Sequence, residues 1–239
     1  MSMSWQCLDS GPRSARDNME LDRALLEACA EESEPLLHLY DWQGDAATYG
    51  HFVDPFKLLK KEVVEREGLD LGKRPTGGGI IFHTSDLAFS VLVPASSSYF
   101  SENTLDNYAF VNQRVIAAIS QMKGVKGQLL QNEPTGVDEH SRHFCMAKPT
   151  KYDVMIEGKK VGGAAQRKTR FGFLHQGSIS LRPLNRERFG DIFVGDRVFE
   201  NMCRNSFTLL GDAATDQEFL EARLELKDFL KKAFSDEGL

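Results

Sequence analysis

Cysteine is scarce, with four in 239 residues, and Cys7, Cys29, Cys145 and Cys203 stand at no knuckle or redox spacing from one another. This argues against a disulfide scaffold and a zinc knuckle, and predicts free thiols in a reducing compartment. No apolar run is long enough to span a bilayer. There is no basic surplus either: 29 Lys and Arg face 35 Asp and Glu, for a net charge of −6. Such a balance speaks against a nucleic-acid partner, which favours a basic face. The N-terminus shows no charged region leading into an apolar run, so no secretory signal is read. A cytoplasmic protein with no membrane partner is expected. Internal repeats, low-complexity segments and an evident linker are also missing. A single domain over residues 1–239, with no C-terminal accessory domain, is therefore expected.

What is present alternates between strand and helix patterns. Trp5 to Leu8 reads as a short strand, with Ser10-Gly11-Pro12 as a turn. Ser14 starts a helix with Asp17 as the acidic partner of a capping box. Leu36 to Trp42 and Ala46 to Phe52 read as strands, and Asp54-Pro55 opens a helix to about Val64. Ile80 to His83 and Leu87 to Val93 are β-rich. Leu105, Tyr108, Val111, Val115, Ile119 and Met122 recur at helical spacing before Gly124. Asn132 to Pro149 has no periodicity and reads as a long, functional loop. Lys151 to Ile156, Lys160 to Arg167 and Gly172 to Leu181 read as antiparallel strands, with a hairpin turn at Glu157-Gly158. A last amphipathic helix runs from Thr215 to about Phe234.

Three constellations carry chemistry. In the first, Arg74, Thr76, Gly77, Gly78 and Gly79 precede a strand ending in His83. Consecutive glycines free the backbone to bring N–H groups onto an anion or carbonyl; the plain alternative is a flexible turn. It is not a P-loop, because no Lys-Ser or Lys-Thr follows. In the second, Lys159 and Lys160 precede Gly162, Gly163, Ala164, Ala165 and Gln166. Four small side chains in a strand are poor packing unless something else fills the space. A narrow acyl chain would fill it, with a lysine at its polar head. In the third, Cys145 lies among His140, Arg142, His143 and Lys148. Positive neighbours favour the thiolate, which makes Cys145 a candidate covalent nucleophile. An inert core thiol is one alternative. Zinc held by His140, His143 and Cys145 is another, though no fourth ligand is evident, and no metal site is assigned.

Together these segments resemble the superfamily of lipoate–protein ligases, octanoyltransferases and biotin ligases. Leu8-Asp9-Ser10-Gly11 and Asn18-Met19-Glu20-Leu21-Asp22 look like its opening strand and helix, and Tyr49-Gly50-His51-Phe52 like the strand before its substrate loop. Arg74 to His83 is similar to its Arg-x-Ser/Thr-Gly-Gly-Gly…His signature. Gly158 to Gln166 resembles its lysine motif, with Lys160 rather than Lys159 in the lysine position. Leu174-His175-Gln176-Gly177-Ser178 resembles the strand that follows, which puts His175 among the candidate substrate contacts. The resemblance implies an α+β fold with a mixed, largely antiparallel sheet flanked by helices, and an acyl tunnel between the glycine loop and the lysine strand.

It also implies an enzyme that joins an octanoyl or lipoyl group to the lysine of a lipoyl domain. Such domains belong to the glycine cleavage H protein and the 2-oxoacid dehydrogenase E2 subunits. Cys145, Pro149-Thr150-Lys151-Tyr152 and Gly158-Lys159-Lys160 look like the cysteine-dependent octanoyltransferase branch. That branch needs no cofactor and takes octanoyl acyl carrier protein as a donor. Two departures bear on the rival, an ATP- and Mg-dependent lipoate ligase. Lys151-Tyr152-Asp153 stands where ligases show Arg-Asn-Asp, yet Gly79, often arginine in the transferases, is ligase-like. A bipartite ligase therefore stays open. So does a non-catalytic lipoyl-domain or acyl-binding protein. Biotin ligation is disfavoured, since no DNA-binding extension or biotin-loop match is seen.

Overall fold

A computed structural model describes residues 5–29, 33–134 and 139–235. In chain order the elements are β1 (Gln6–Arg13), α1 (Ala15–Glu27), β2 (Leu36–Trp42), β3 (Ala46–Tyr49), α2 (Lys61–Glu67), β4 (Asp70–Lys73), β5 (Ile80–His83) and β6 (Asp86–Pro94). There follow α3 (Thr104–Lys123), β7 (Gln128–Leu129), β8 (Val154–Ile156), β9 (Lys159–Thr169), β10 (Gly172–Ser180), α4 (Arg186–Phe189), α5 (Val198–Asn205) and α6 (Asp216–Ser235). The larger sheet has seven strands in the order β1-β2-β6-β10-β9-β8-β7, and the smaller has three in the order β4-β3-β5. Among the strand pairs of the described residues, only β1–β2 and β3–β4 run parallel. The expected α+β class with a mixed, largely antiparallel sheet is what forms.

Side-chain alternation along the central strands divides the interior. Leu87, Phe89, Val91 and Val93 of β6 join Phe173 and Ile179 of β10 in one apolar cluster. Val111, Val115 and Ile119 of α3 and Leu226, Leu230 and Phe234 of α6 complete it. These apolar positions recur at the three- and four-residue spacing that places them on one helical stripe. The opposite face of β6 and β10 carries Ser90, Gln176 and Ser178, and α1 packs there. A second cluster joins the small sheet to α2, α4 and α5 and takes in Phe144, Met146 and Ala147. The aperiodic loop is thereby pinned on both sides of Cys145. Residues 135–138 of that loop lie outside the described residues.

Several expected boundaries move for local reasons. Strand β1 runs through the expected turn to Arg13, with an irregularity between Asp9 and Pro12 and Gly11 in a left-handed conformation. The helix expected from Asp54-Pro55 to Val64 is instead a 3₁₀ turn, Pro55–Lys57, followed by the separate α2. Between them Leu59 pairs with Phe193, and Lys60 N–H bonds the Ile192 carbonyl, so that backbone is used elsewhere. The strand expected to Phe52 stops at Tyr49, because Gly50 packs directly on the backbone of Gly77 and Gly78. That expected from Lys151 starts only at Val154, because Tyr152 takes a left-handed φ of 68°. Strands β4 and β7 and helices α4 and α5 are too short to announce themselves by periodicity.

Helix α1 is held to the sheet by a carboxylate. Asp22 is fully buried and accepts from His38 Nδ1 of β2 at 2.8 Å, Ser90 Oγ of β6 at 2.5 Å and Gln176 Nε2 of β10 at 2.6 Å. One carboxylate thus ties a helix to three strands and satisfies every donor aimed at it. Asp22→Ala strands those donors in the interior, at about 1–3 kcal/mol for each. The variant is expected to lose roughly 3 kcal/mol or more of unfolding free energy. Urea denaturation at neutral pH measures it; a loss below about 1 kcal/mol would contradict this role for the network.

Candidate active site

The glycine loop, 76–79, crosses between the two sheets and is fixed by a buried cation. Arg74 donates through Nη1 to the Thr48 carbonyl and hydroxyl of β3, both at 2.9 Å. Its Nη2 donates to the carbonyls of Gly77 at 3.1 Å and Gly79 at 2.6 Å. Glycine is required here by close approach. A Cβ at Gly79 would lie 2.0 Å from the His143 carbonyl oxygen, and one at Gly50 the same distance from that of Gly78. Gly78 also has a φ of 86°, which glycine adopts without strain. Thr76 donates to Gln176 Oε1 at 2.7 Å, joining the loop to the Asp22 network.

Cys145 reaches this loop through its backbone: its N–H bonds the Ile80 carbonyl at 2.9 Å, next to the bridge between Ile80 and Phe144. The cation at its thiol is Arg74, not one of its sequence neighbours. Burial pushes the Arg74 guanidinium below its ordinary value, and the nearby Cys145 acts in the opposite sense. The basic residues that made Cys145 conspicuous are engaged elsewhere, Arg142 with Glu139 and Lys148 with Glu133. His83, stacked on Trp42, donates through Nδ1 to Asp86 and sets Nε2 2.8 Å from Thr48 Oγ1. A polar chain thus runs from Asp86 through His83 and Thr48 to Arg74, which lines the same slot as Cys145. Among the described residues no three His, Cys, Asp or Glu side chains come together as a metal site requires.

Lys160 is buried and turned inward. Its Nζ lies 2.6 Å from Asp153 Oδ2 and donates to the Cys145 carbonyl at 2.8 Å. The register explains how it gets there. Val154 pairs with Gly162 but Met155 with Lys160, so Val161 is an extra residue, a β-bulge. The bulge shifts the strand's alternation by one and puts Lys160 and Gly163 on the same face. A Cβ on Gly163 would sit 2.3 Å from Lys160 Cε. The gap that the sequence offers to an acyl chain at Gly163 is therefore filled by the lysine itself. Gly162 looks the other way, onto Val154 and Ile179.

Arg74, His83, Cys145, Gly163, Ala164 and Ala165 line one slot with Met19, Tyr40, Thr48 and Gln176. Its free volume is about 20 Å³, room for about one water molecule. Several of the expected contacts do not line it: Thr76, Gly77, Gly78 and Gly79 stay in the glycine loop, Gly162 faces Val154 and Ile179, and Gln166 and His175 lie elsewhere. His175 and Gln166 bond each other at 2.8 Å on the α3 side of the sheet, with Tyr108 and Phe89 against the His175 ring. Strand alternation sends Gln176 and Ser178 to the slot and His175 away from it. Thr48, Gln176 and Asp153 were not among the expected site residues. Gln176 sits inside a motif already singled out, Asp153 showed only as the end of an altered triplet, and Thr48 gives no sequence signal.

The comparisons with known proteins agree with this architecture. The family model of the lipoyl protein ligase A/B catalytic domain matches residues 14–229. The chain belongs to this family. An octanoyltransferase LipM of Halalkalibacterium halodurans is 28% identical over 240 residues, 98% of this chain and 85% of the relative. The octanoyltransferase LipM of Bacillus subtilis is also 28% identical, over 98% of this chain and 84% of its own. Among solved structures, a lipoate-protein ligase A bound with ATP superposes with a TM-score of 0.69 at 16% identity, covering 98% of this chain and 94% of its own. The bipartite lipoate protein ligase of Thermoplasma acidophilum gives 0.67 at 15%, covering 98% and 92%. At those identities the structural likeness speaks for the fold alone.

Burial of His175 has a measurable consequence. Desolvation pushes its pKa down to about 3, so the folded protein holds it neutral. An unfolded histidine titrates near 6.5. The unfolded chain therefore takes up the proton first, and stability falls as the pH drops from that value toward the folded one. Between about pH 6.5 and about pH 5 this group should remove about 1.5 kcal/mol. His175→Asn is expected to flatten the fall in urea unfolding free energy over that window. An unchanged slope would mean that His175 is not the group responsible.

Proposed function

We propose that this protein is an octanoyltransferase that modifies the lysine of a lipoyl domain through a Cys145 thioester. The observation that carries the reading is that Cys145 and Arg74 line one slot while the buried Lys160 donates to the Cys145 carbonyl beside it. The relatives named octanoyltransferase LipM support the acyl group and the enzyme class. Arg74 places positive charge in the slot that Cys145 lines. The thiolate attacks the donor's thioester carbonyl, Lys160 bears on the developing oxyanion, and the donor thiolate leaves with the proton that Cys145 gave up. The acceptor lysine, as the free amine, then attacks the acyl-enzyme. An amide forms, the C–S bond breaks, and the amine proton returns to Cys145.

In this reading no nucleotide or metal is consumed, because the thioester is already activated. Octanoyl acyl carrier protein is the donor, and the lipoyl domains of the glycine cleavage H protein and of 2-oxoacid dehydrogenase E2 are the acceptors. Among the described residues no helix is long and apolar enough to cross a membrane. Four free cysteines suit a reducing compartment, and we place the reaction in the cytoplasm.

Incubation with octanoyl carrier protein, without ATP, is expected to add one octanoyl group to the enzyme, removable by hydroxylamine and visible by intact-mass spectrometry. Cys145→Ser should abolish both the adduct and transfer. Wild-type transfer by that variant, or attachment of free lipoate only when ATP is supplied, would favour the ligase reading. Lys160→Ala should slow transfer on the order of a hundredfold, since one oxyanion donor is typically worth about 2.7–4 kcal/mol. Lys160→Arg should not restore it, because the guanidinium differs in shape and reach. The exposed Lys159, by contrast, should tolerate alanine. Equal rates for Lys159→Ala and Lys160→Ala would remove Lys160 from the mechanism.

A further inference from the structure

An ammonium group has three N–H donors. Before any substrate arrives, Lys160 uses one on Asp153 and one on the Cys145 carbonyl. One is left. Its direction is fixed by the other two, and the second bond also ties the backbone of Cys145 to β9. We propose that Asp153 is a positioning residue: it aims the remaining N–H of Lys160 at the acyl carbonyl and, through Lys160, holds Cys145 in register with it. This rests on the reading of Cys145 as nucleophile and Lys160 as donor.

The surroundings of Asp153 are built for immobility. The Thr150 amide donates to Asp153 Oδ2 at 2.6 Å and the Thr150 hydroxyl at 3.0 Å. The residue before it, Tyr152, sits in the left-handed region, which is unfavourable for a residue with a Cβ and persists only where its surroundings impose it. They do so here: Tyr152 N–H bonds the Leu130 carbonyl at 2.8 Å, and its own carbonyl accepts from Asn112 Nδ2 of α3 at 2.7 Å. Asn112 is itself buried. On the other side Gly163 gives up its Cβ so that the lysine stem can lie across the strand. A buried ion pair contributes little net stability once its desolvation is counted. A strained turn, a buried asparagine and an empty glycine face around one such pair are arrangements for direction rather than for stability.

The experiment is a double-mutant cycle on the full chain, with Asp153→Asn, Lys160→Ala and the pair together. Two quantities are read: octanoyl transfer to a lipoyl domain, and the rate of Cys145 alkylation by iodoacetamide, located by peptide mass spectrometry. Asp153→Asn keeps shape and hydrogen bonding but drops the charge. It is expected to lower kcat by about tenfold or more while leaving KM for the lipoyl domain unchanged. In the Lys160→Ala background the same substitution should change neither quantity, because Asp153 then has nothing to position. Additive losses in the pair, or a wild-type kcat in folded Asp153→Asn, would overturn the proposal. Should Asp153→Asn fail to fold, Asn112→Ala loosens only the Tyr152 turn and should give a smaller fall in kcat, again absent without Lys160. If the wild type transfers nothing, the functional reading fails by itself. Alkylation still decides the positioning role, which is overturned if Asp153→Asn leaves the Cys145 rate at the wild-type value.

Discussion

The candidate site hangs on one buried guanidinium. Arg74 is at once the clasp of the glycine loop, the link to β3 and the cation beside the Cys145 thiol. Burying such a charge is costly, and the cost is offset only because nearly every donor finds an acceptor. That requirement dictates much around it. Carbonyls must turn inward, so the loop must be glycine. Gly50 and Gly79 must lack side chains, so the loop can wedge between the β3 end and the His143 backbone. Thr48 must carry a hydroxyl, which in turn faces His83.

The second organising device is geometric. Without the bulge at Val161, a lysine three residues before Gly163 would point into the α3–α6 core or the strand would have to twist away. With it, one strand delivers Val161 and Gly162 to the core, Gly163 and Ala165 to the slot, and Lys160 to Asp153 and the Cys145 carbonyl. The lysine motif is therefore better understood as a register device than as a row of small residues making room for a ligand. The glycine serves the lysine.

Much of this was legible in the sequence, and the remainder was hidden for identifiable reasons. Helix α3 shows its stripe and its Gly124 cap, and the Ser14 cap of α1 is realised by the bond from the Asp17 amide. The glycine loop, Lys160 and Cys145 stand out by residue type and order. Contacts across the chain do not. Nothing in the neighbourhood of Cys145 says that its cation is Arg74, 71 positions upstream by their numbers. The bulge escapes too, because one inserted residue leaves composition unchanged while exchanging the faces. His175, a candidate contact through the resemblance of its strand, lies behind the sheet by plain strand alternation at β10. Tyr152 and Asp153 looked like a damaged ligase triplet. They are the strained corner that feeds the ion pair.

The narrowness of the slot has an energetic meaning. A space of about 20 Å³ holds about one water molecule, so on the proposed reading an eight-carbon tail has to part the walls as it enters. The driving force is its own escape from water, about 0.8 kcal/mol for each methylene buried. On the proposed reading a short acyl group brings less of this driving force than a longer one toward parting Met19 from Gln176. In such a site discrimination against small acyl groups needs no steric gauge. The closed protein sets a threshold, and hydrophobicity crosses it.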